Sequence, residues 1–165
     1  MGTMVRLCAS LPGQRAHLRE LAASARVPLS TLLSMGSFSP DSSAGIHTAT
    51  IEEQIQALKA DGHDEVLVGN MCTAFVYSLW EDHYRLAFAA ASGRERSSVL
   101  SSFFGELSAY RHAIIHNRAL GTSKTEVLTL LPAVARGQPV KVTRHGFEAL
   151  VALLKAELHA LSYPE

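Results

Sequence analysis

Two cysteines in 165 residues are too few for a disulfide framework or a cysteine-built metal site. Cys8 stands near the start, and Cys72 lies in an apolar run where a small buried hydrophobe is expected. No run is apolar for long enough to span a bilayer. Met1 to Leu11 lack the apolar stretch behind a basic start that a secretory signal requires. Gly2 is not followed by Ser or Thr where a myristoylation motif needs one, because Arg6 stands there. A reducing, cytoplasmic setting with no membrane partner is therefore expected. Net charge is also lacking, since 15 Lys and Arg balance 15 Asp and Glu. Any case for nucleic acid must then be local. Several catalytic signatures are missing too: a glycine-rich phosphate loop, Gly-x-Ser-x-Gly, His-Glu-x-x-His and a Cys/His nucleophile pair. No cofactor is expected.

What is present is helical periodicity. Leu18, Leu21 and Ala25 predict a helix over Gln14 to Arg26 that Pro28 stops, and Leu29 to Met35 is read as a further short helical turn. Ser37 to His47, rich in Ser, Pro and Gly, is read as a hinge. It divides an N-terminal helical arm, 1–47, from a helical bundle, 48–165. Thr50-Ile51-Glu52-Glu53 has the form of a capping box. From Asp64 to Ala91 apolar residues stand nearly all round the helix, which marks a central element, and Gly93 breaks it. A helix from about Arg94 to Asn117 follows. Ser123-Lys124-Thr125-Glu126 repeats the capping-box pattern and predicts a helix to Ala135, kinked by Pro132. Phe147, Leu150, Leu154, Leu158 and Leu161 draw a narrow seam on the last helix. Without βαβ alternation or repeats, the fold class is all-α, a bundle of four to five helices.

The helix ending Tyr110-Arg111-His112-Ala113-Ile114-Ile115-His116-Asn117-Arg118 does something a plain bundle need not do. On an ideal helix Arg111 falls within the stripe drawn by Leu100, Phe103, Phe104, Leu107 and Ile114. A buried guanidinium must find a partner or reach out of the core. Arg and His are also the residues that metal-free RNA cleavage requires. The ribose 2′-OH attacks phosphorus, so one group removes that proton and another protonates the leaving 5′-oxygen, tasks suited to imidazole. A guanidinium answers the charge that gathers on phosphorus. One Arg and one His leave the site incomplete, and a two-fold axis would supply a second set, so a homodimer is expected. Between Arg111 and Arg144 the bases Arg111, Arg118, Lys124, Arg136, Lys141 and Arg144 face only Glu126, which gives a local basic stretch.

At this motif the sequence resembles the HEPN superfamily, all-α domains many of which are ribonucleases in toxin–antitoxin, CRISPR-linked and phage-defence systems. Arg111-x4-His116 matches the family's Arg-then-His signature, with His112 standing where Asn is common. The resemblance covers roughly Glu52 to Leu161. It implies a metal-independent endoribonuclease acting as a dimer, with Arg111 and His116 catalytic, and His112 and Asn117 in support. Glu81, in the cluster Trp80-Glu81-Asp82-His83-Tyr84-Arg85, is the candidate to orient Arg111. Arg118 and Lys124 are candidate RNA contacts, and an antitoxin or defence-system protein is a candidate partner. The family also holds members that have lost catalysis and act as dimerisation or RNA-binding modules, which is the alternative reading.

Structural alternatives exist for the same residues. His116 near a helix C-terminus suits the macrodipole and could simply cap the helix, and Arg111 could pair with Glu81 or Glu106. His112 and His116 have the spacing of two metal ligands, but a third ligand is not evident. On an ideal helix Arg111 and His116 lie about 140° apart. Bringing them together requires the long arginine to swing round, a distorted helix end, or a partner protomer.

Overall fold

The computed structural model describes residues 2–35 and 47–162, so the expected hinge lies outside them up to residue 46. The described chain is all-α apart from one pair of short strands. Its contacts divide it into two compact units, Met1–Glu65 and Val66–Glu165.

In the first unit, helix α1 spans Gly2–Ala25. It begins well before the expected Gln14 and takes Pro12 inside it. Its end is a Schellman turn: left-handed Arg26 (φ 53°) lets Val27 N–H donate to Ala22 O at 3.1 Å, and Arg26 N–H to Ala23 O at 3.2 Å. Leu29 to Met35 is not the helical turn the sequence suggested. Strand β1, Leu32–Met35, pairs antiparallel with β2, His47–Thr50, in the register Leu33↔Ala49. The partner lies across a long stretch of chain, and no local pattern announces it. Helix α2, Ile51–Ala57, starts on the expected capping box. Glu53 N–H donates to Thr50 Oγ1 at 3.1 Å, and Thr50 N–H donates to Glu53 Oε2 at 2.7 Å. The Thr50 amide, and then its hydroxyl, hold the Glu53 carboxyl below its ordinary value. Ala22, Ile51 and Ile55 bury together, with Leu18 and Leu33 packed against them.

Helix α3, His63–Leu79, continues through a π-helical turn, Trp80–Tyr84, into α4, Arg85–Ala91. The expected long helix is therefore present, though not buried all round. Cys72, Val76 and Trp80 are buried, whereas Leu67, Met71 and Phe75 form an exposed row. Gly93, left-handed at φ 63°, lets Arg94 N–H donate to Ala89 O at 2.9 Å and ends the run. The next helix, α5, is Ser102–His116 and not Arg94–Asn117. A short 3-10 turn, Arg96–Ser98, precedes it, and Ser101 caps it by accepting from Phe104 N–H at 3.1 Å. Leu100, expected in the stripe, lies outside the helix and is 74% exposed. Helix α6, Arg144–Ser162, is capped by Thr143, which accepts from Gly146 N–H at 3.2 Å. Phe147, Leu150 and Leu154 form the buried part of its seam. Trp80 stacks flat on Phe104, ring centroids 3.7 Å apart, and joins the π turn to α5.

Between α5 and α6 the chain has no helix, so the one expected over Ser123–Ala135 is corrected. The residues that suggested a capping box bond elsewhere. Thr125 Oγ1 accepts from Thr122 N–H at 2.8 Å and lies 2.8 Å from Val134 O, while Glu126 Oε1 accepts from Arg136 N–H at 2.8 Å. Helical side chains hold this loop from below. Asn70 donates to Val140 O at 2.9 Å and accepts from Val142 N–H at 3.1 Å. Tyr110 donates its hydroxyl to Pro132 O at 2.6 Å, and Glu106 accepts from the amides of Thr129, Leu130 and Leu131.

Candidate active site

Helix α5 sets the site by burying one face and presenting the other. Phe103, Phe104, Leu107, Tyr110 and Ala113 are buried, which leaves His112 and His116 exposed one turn apart. Arg111 is half-buried at the edge of the stripe, with its guanidinium reaching toward the exposed side. Its Nη1 lies 3.3 Å from His116 Nε2. The 140° that separates the two on a helix cylinder is spanned by the length of the arginine, and the helix remains regular through His116. Because a guanidinium only donates, this contact is a hydrogen bond in the tautomer that leaves His116 Nε2 as the acceptor, with its ring proton on Nδ1. The rings of His112 and His116 stand 5.3 Å apart between centroids, tilted by 42°.

Neither candidate carboxylate reaches Arg111. Glu81 binds Arg85 at 3.1 Å and Arg96 at 2.6 Å, and so braces the π turn against the chain entering α5. Its expected role as orienting partner of Arg111 is replaced by this structural one. Glu106 is committed to the loop: Thr129 N–H and Leu131 N–H donate to it at 2.8 Å, and Leu130 N–H and Thr129 Oγ1–H at 2.9 Å. Burial alone would raise its carboxyl, but these bonds, led by Leu131 N–H, outweigh it and hold the group below its ordinary value. Burial, with the Glu106 charge beside it, pushes Tyr110 up to about 12. Among the described residues Arg111 has no ion-pair partner, so its charge is available to a ligand.

The turn after His116 is strained. Arg118 (φ 54°) and Ala119 (φ 56°) are both left-handed without being glycine. Ala119 N–H donates to Ala113 O at 3.0 Å, and Leu120 N–H to Asn117 O at 2.9 Å. The neighbouring loop fixes this geometry, with Gly121 N–H on Gln138 O at 2.7 Å and Val140 N–H on Ala119 O at 2.8 Å. Asn117, a candidate for supporting Arg or phosphate, spends its amide on the turn by donating to Leu120 O at 2.8 Å. Its side chain therefore shapes the turn and does not bond to Arg111. Arg118 and Lys124 are both exposed, and neither forms an ion pair among the described residues. No group of three or more His, Cys, Asp or Glu suited to a metal ion occurs among the described residues.

Of the residues that hold the site from behind, sequence reasoning missed Gly69 and Asn70 and gave Glu106 and Thr125 other roles, an ion pair with Arg111 and a capping box. A Cβ on Gly69 would lie 1.9 Å from Val142 O, so only glycine lets α3 approach the loop so closely. A glycine followed by a buried-side asparagine in mid-helix was the available signal. Fold and site together define an all-α protein with a half-buried arginine against an exposed histidine at the end of a helix, just before a strained turn. No family model, curated protein or solved structure matches the chain, and among the described residues no helix is long and apolar enough to cross a membrane.

Proposed function

We propose that this chain is a metal-independent endoribonuclease of the HEPN type, with Arg111 and His116 as its catalytic residues. The observation that carries the reading is the 3.3 Å approach of the Arg111 guanidinium to His116 Nε2, with no carboxylate among the described residues pairing the arginine. A structural arginine is expected to sit on an acid, whereas this one holds the lone pair of a base. An arriving phosphodiester competes for the guanidinium as a bidentate acceptor and frees Nε2. His116 then takes the 2′-OH proton, and Arg111 stabilises the charge that develops on phosphorus. The leaving 5′-oxygen needs a second proton-transfer group, and two α5 helices facing each other across a two-fold axis supply one as a second His116. Arg118 and Lys124 contact the strand in this reading. A cytoplasmic toxin or phage-defence effector, restrained by a partner protein, is the setting that suits an unspecialised RNA-cutting site.

The test is cleavage of single-stranded RNA in EDTA. The wild-type chain is expected to cut, leaving 2′,3′-cyclic phosphate ends. Arg111→Ala and His116→Ala each lose about 10²–10⁴-fold in rate, the range for removing a proton-transfer or charge-stabilising group. Cleavage that depends on added metal, or that survives both substitutions, would falsify the reading.

A further inference from the structure

The loop before α6 leaves a hollow where it meets the two helices it packs on. Tyr110 from α5, Leu131 and Pro132 from the loop, and Leu150 and Leu153 from α6 wall a cavity of about 230 Å³. Its depth comes from Gly146 and Ala149 of α6, which line it and are too small to fill it. The walls are apolar up to the opening, where Leu130 and Leu153 are 45% and 37% exposed. Lys141 is the single charged residue of the lining, and it forms no ion pair among the described residues. All of these residues belong to the unit Val66–Glu165. We propose that this cavity is a binding site for a small carboxylate with an aromatic or branched aliphatic body, the body seated between loop and helices and the carboxylate on Lys141. None of the lining residues is assigned to cleavage, so the site stands apart from the ribonuclease reading and goes beyond it.

Size, polarity and charge select that class. Pockets for drug-sized ligands run about 300–1,000 Å³, so 230 Å³ suits a smaller body, one ring or one short branched chain. The polar groups of the walls are already engaged. The Tyr110 hydroxyl donates to Pro132 O at 2.6 Å, Leu131 N–H donates to Glu106 at 2.8 Å, and Val142 N–H donates to Asn70 Oδ1 at 3.1 Å. A sugar or a nucleobase would bury its polar edge here without partners, which is costly. The same bonds hold the walls in place before any ligand arrives, so little ordering opposes binding. At the opening the chemistry changes. A lysine lays its methylenes along an apolar wall and keeps its ammonium at the water, so Lys141 meets an anionic end at the rim and not in the depth. No carboxylate of the lining competes for that ammonium.

The probe is sodium 3-phenylpropionate, and the measurement is amide chemical-shift mapping of the full chain during titration. Saturable shifts at Leu131, Val142, Gly146 and Leu150 are expected, with a Kd of about 1 mM or tighter. 3-Phenylpropan-1-ol keeps the ring and chain but lacks the charge, and should bind about threefold or more weakly. That gap should narrow in high salt. Lys141→Gln should close it, by weakening the carboxylate and leaving the alcohol as before. Gly146→Leu fills the cavity, since a Cβ there meets nothing closer than Thr143 Oγ1 at 3.6 Å. It should melt no lower than wild type and bind neither probe. Ala149→Leu is the second filling variant if Gly146→Leu is destabilised. No saturable shift, equal affinity for acid and alcohol, or binding that survives a folded filling variant overturns the proposal. So do shifts centred on His112 and His116 that Arg111→Ala abolishes, which would put the carboxylate on the guanidinium of the candidate active site. None of these readouts uses RNA cleavage, so failure here leaves the Arg111–His116 reading standing.

Discussion

At the scale of single residues, Glu106 shows how a side chain next to the candidate site serves the fold. Its carboxylate gathers the amides of Thr129, Leu130 and Leu131 and the Thr129 hydroxyl, so it terminates a loop as a backbone carbonyl cannot. Its carboxyl is held below the ordinary value, so the folded chain binds that proton less readily than the unfolded one. Stability from Glu106 is then fully present above the unfolded value, about 4.3, and is lost as pH falls through the lower folded value. Glu106→Gln keeps one acceptor oxygen and should cost about 1–3 kcal/mol near neutral pH. Melting curves should show the two proteins converging below about pH 4. Ala119 makes the opposite case. At φ 56° it sits where an L side chain costs about 1–2 kcal/mol, and part of the relief is offset by the extra freedom glycine brings to the unfolded chain. Ala119→Gly should therefore raise stability by about 0.5–1 kcal/mol in denaturant titration. If stability falls instead, the side chain is contributing packing that outweighs the strain.

At the scale of elements, the packing of α3 against the loop before α6 rests on two adjacent residues. Gly69→Ala would drive a methyl to 1.9 Å from Val142 O, so helix and loop must separate. The expected loss is about 2–3 kcal/mol or more. Asn70→Ala strands Val140 O and Val142 N–H in a buried setting, at about 2–4 kcal/mol for the pair. Val140 N–H holds Ala119 O, so Asn70→Ala should also loosen the turn after His116. Faster hydrogen exchange at the amides of Ala119 and Leu120 would show it. Protection there equal to wild type would mean that α5 fixes its own end. These long-range ties explain what the sequence could and could not disclose. Thr50 and Glu53 formed their capping box because both arms are local. Ser123 to Glu126 has the same letters but made no helix, because Thr125 and Glu126 found partners at Val134 and Arg136. Leu32–Met35 became a strand through a partner at His47–Thr50 that periodicity cannot register. Within the candidate site, residue types and spacing were legible and side-chain reach was not. An ideal helix places Arg111 and His116 apart, and only in the folded chain does the arginine cross that gap while Glu81 and Glu106 are engaged elsewhere.

At the scale of the whole molecule, every residue assigned to cleavage or its support lies in the unit Val66–Glu165. That unit has its own core, in which Trp80 stacks on Phe104 and α5 and α6 bury Phe103, Leu107, Leu150 and Leu154. Its irregular loop is tied down by Asn70, Glu106 and Tyr110, all from the same unit. At about 100 residues such a unit is long enough to bury a stable core without disulfide or metal support. A chain cut at Glu65 would begin inside α3 and lose its acidic first turn, Asp64 and Glu65, which favours the helix N-terminus. The fragment to make is therefore 63–165, with α3 whole. It should melt cooperatively, retain helical circular dichroism and cleave RNA within about threefold of the full chain. It should also lose that activity on Arg111→Ala by the same about 10²–10⁴-fold factor as the full chain does. A fragment that folds but does not cleave would overturn the assignment of the complete site to this unit. A fragment that fails to fold would show that 2–62 are needed for the core and are more than an appendage to it. The two outcomes separate in one thermal melt read beside one gel.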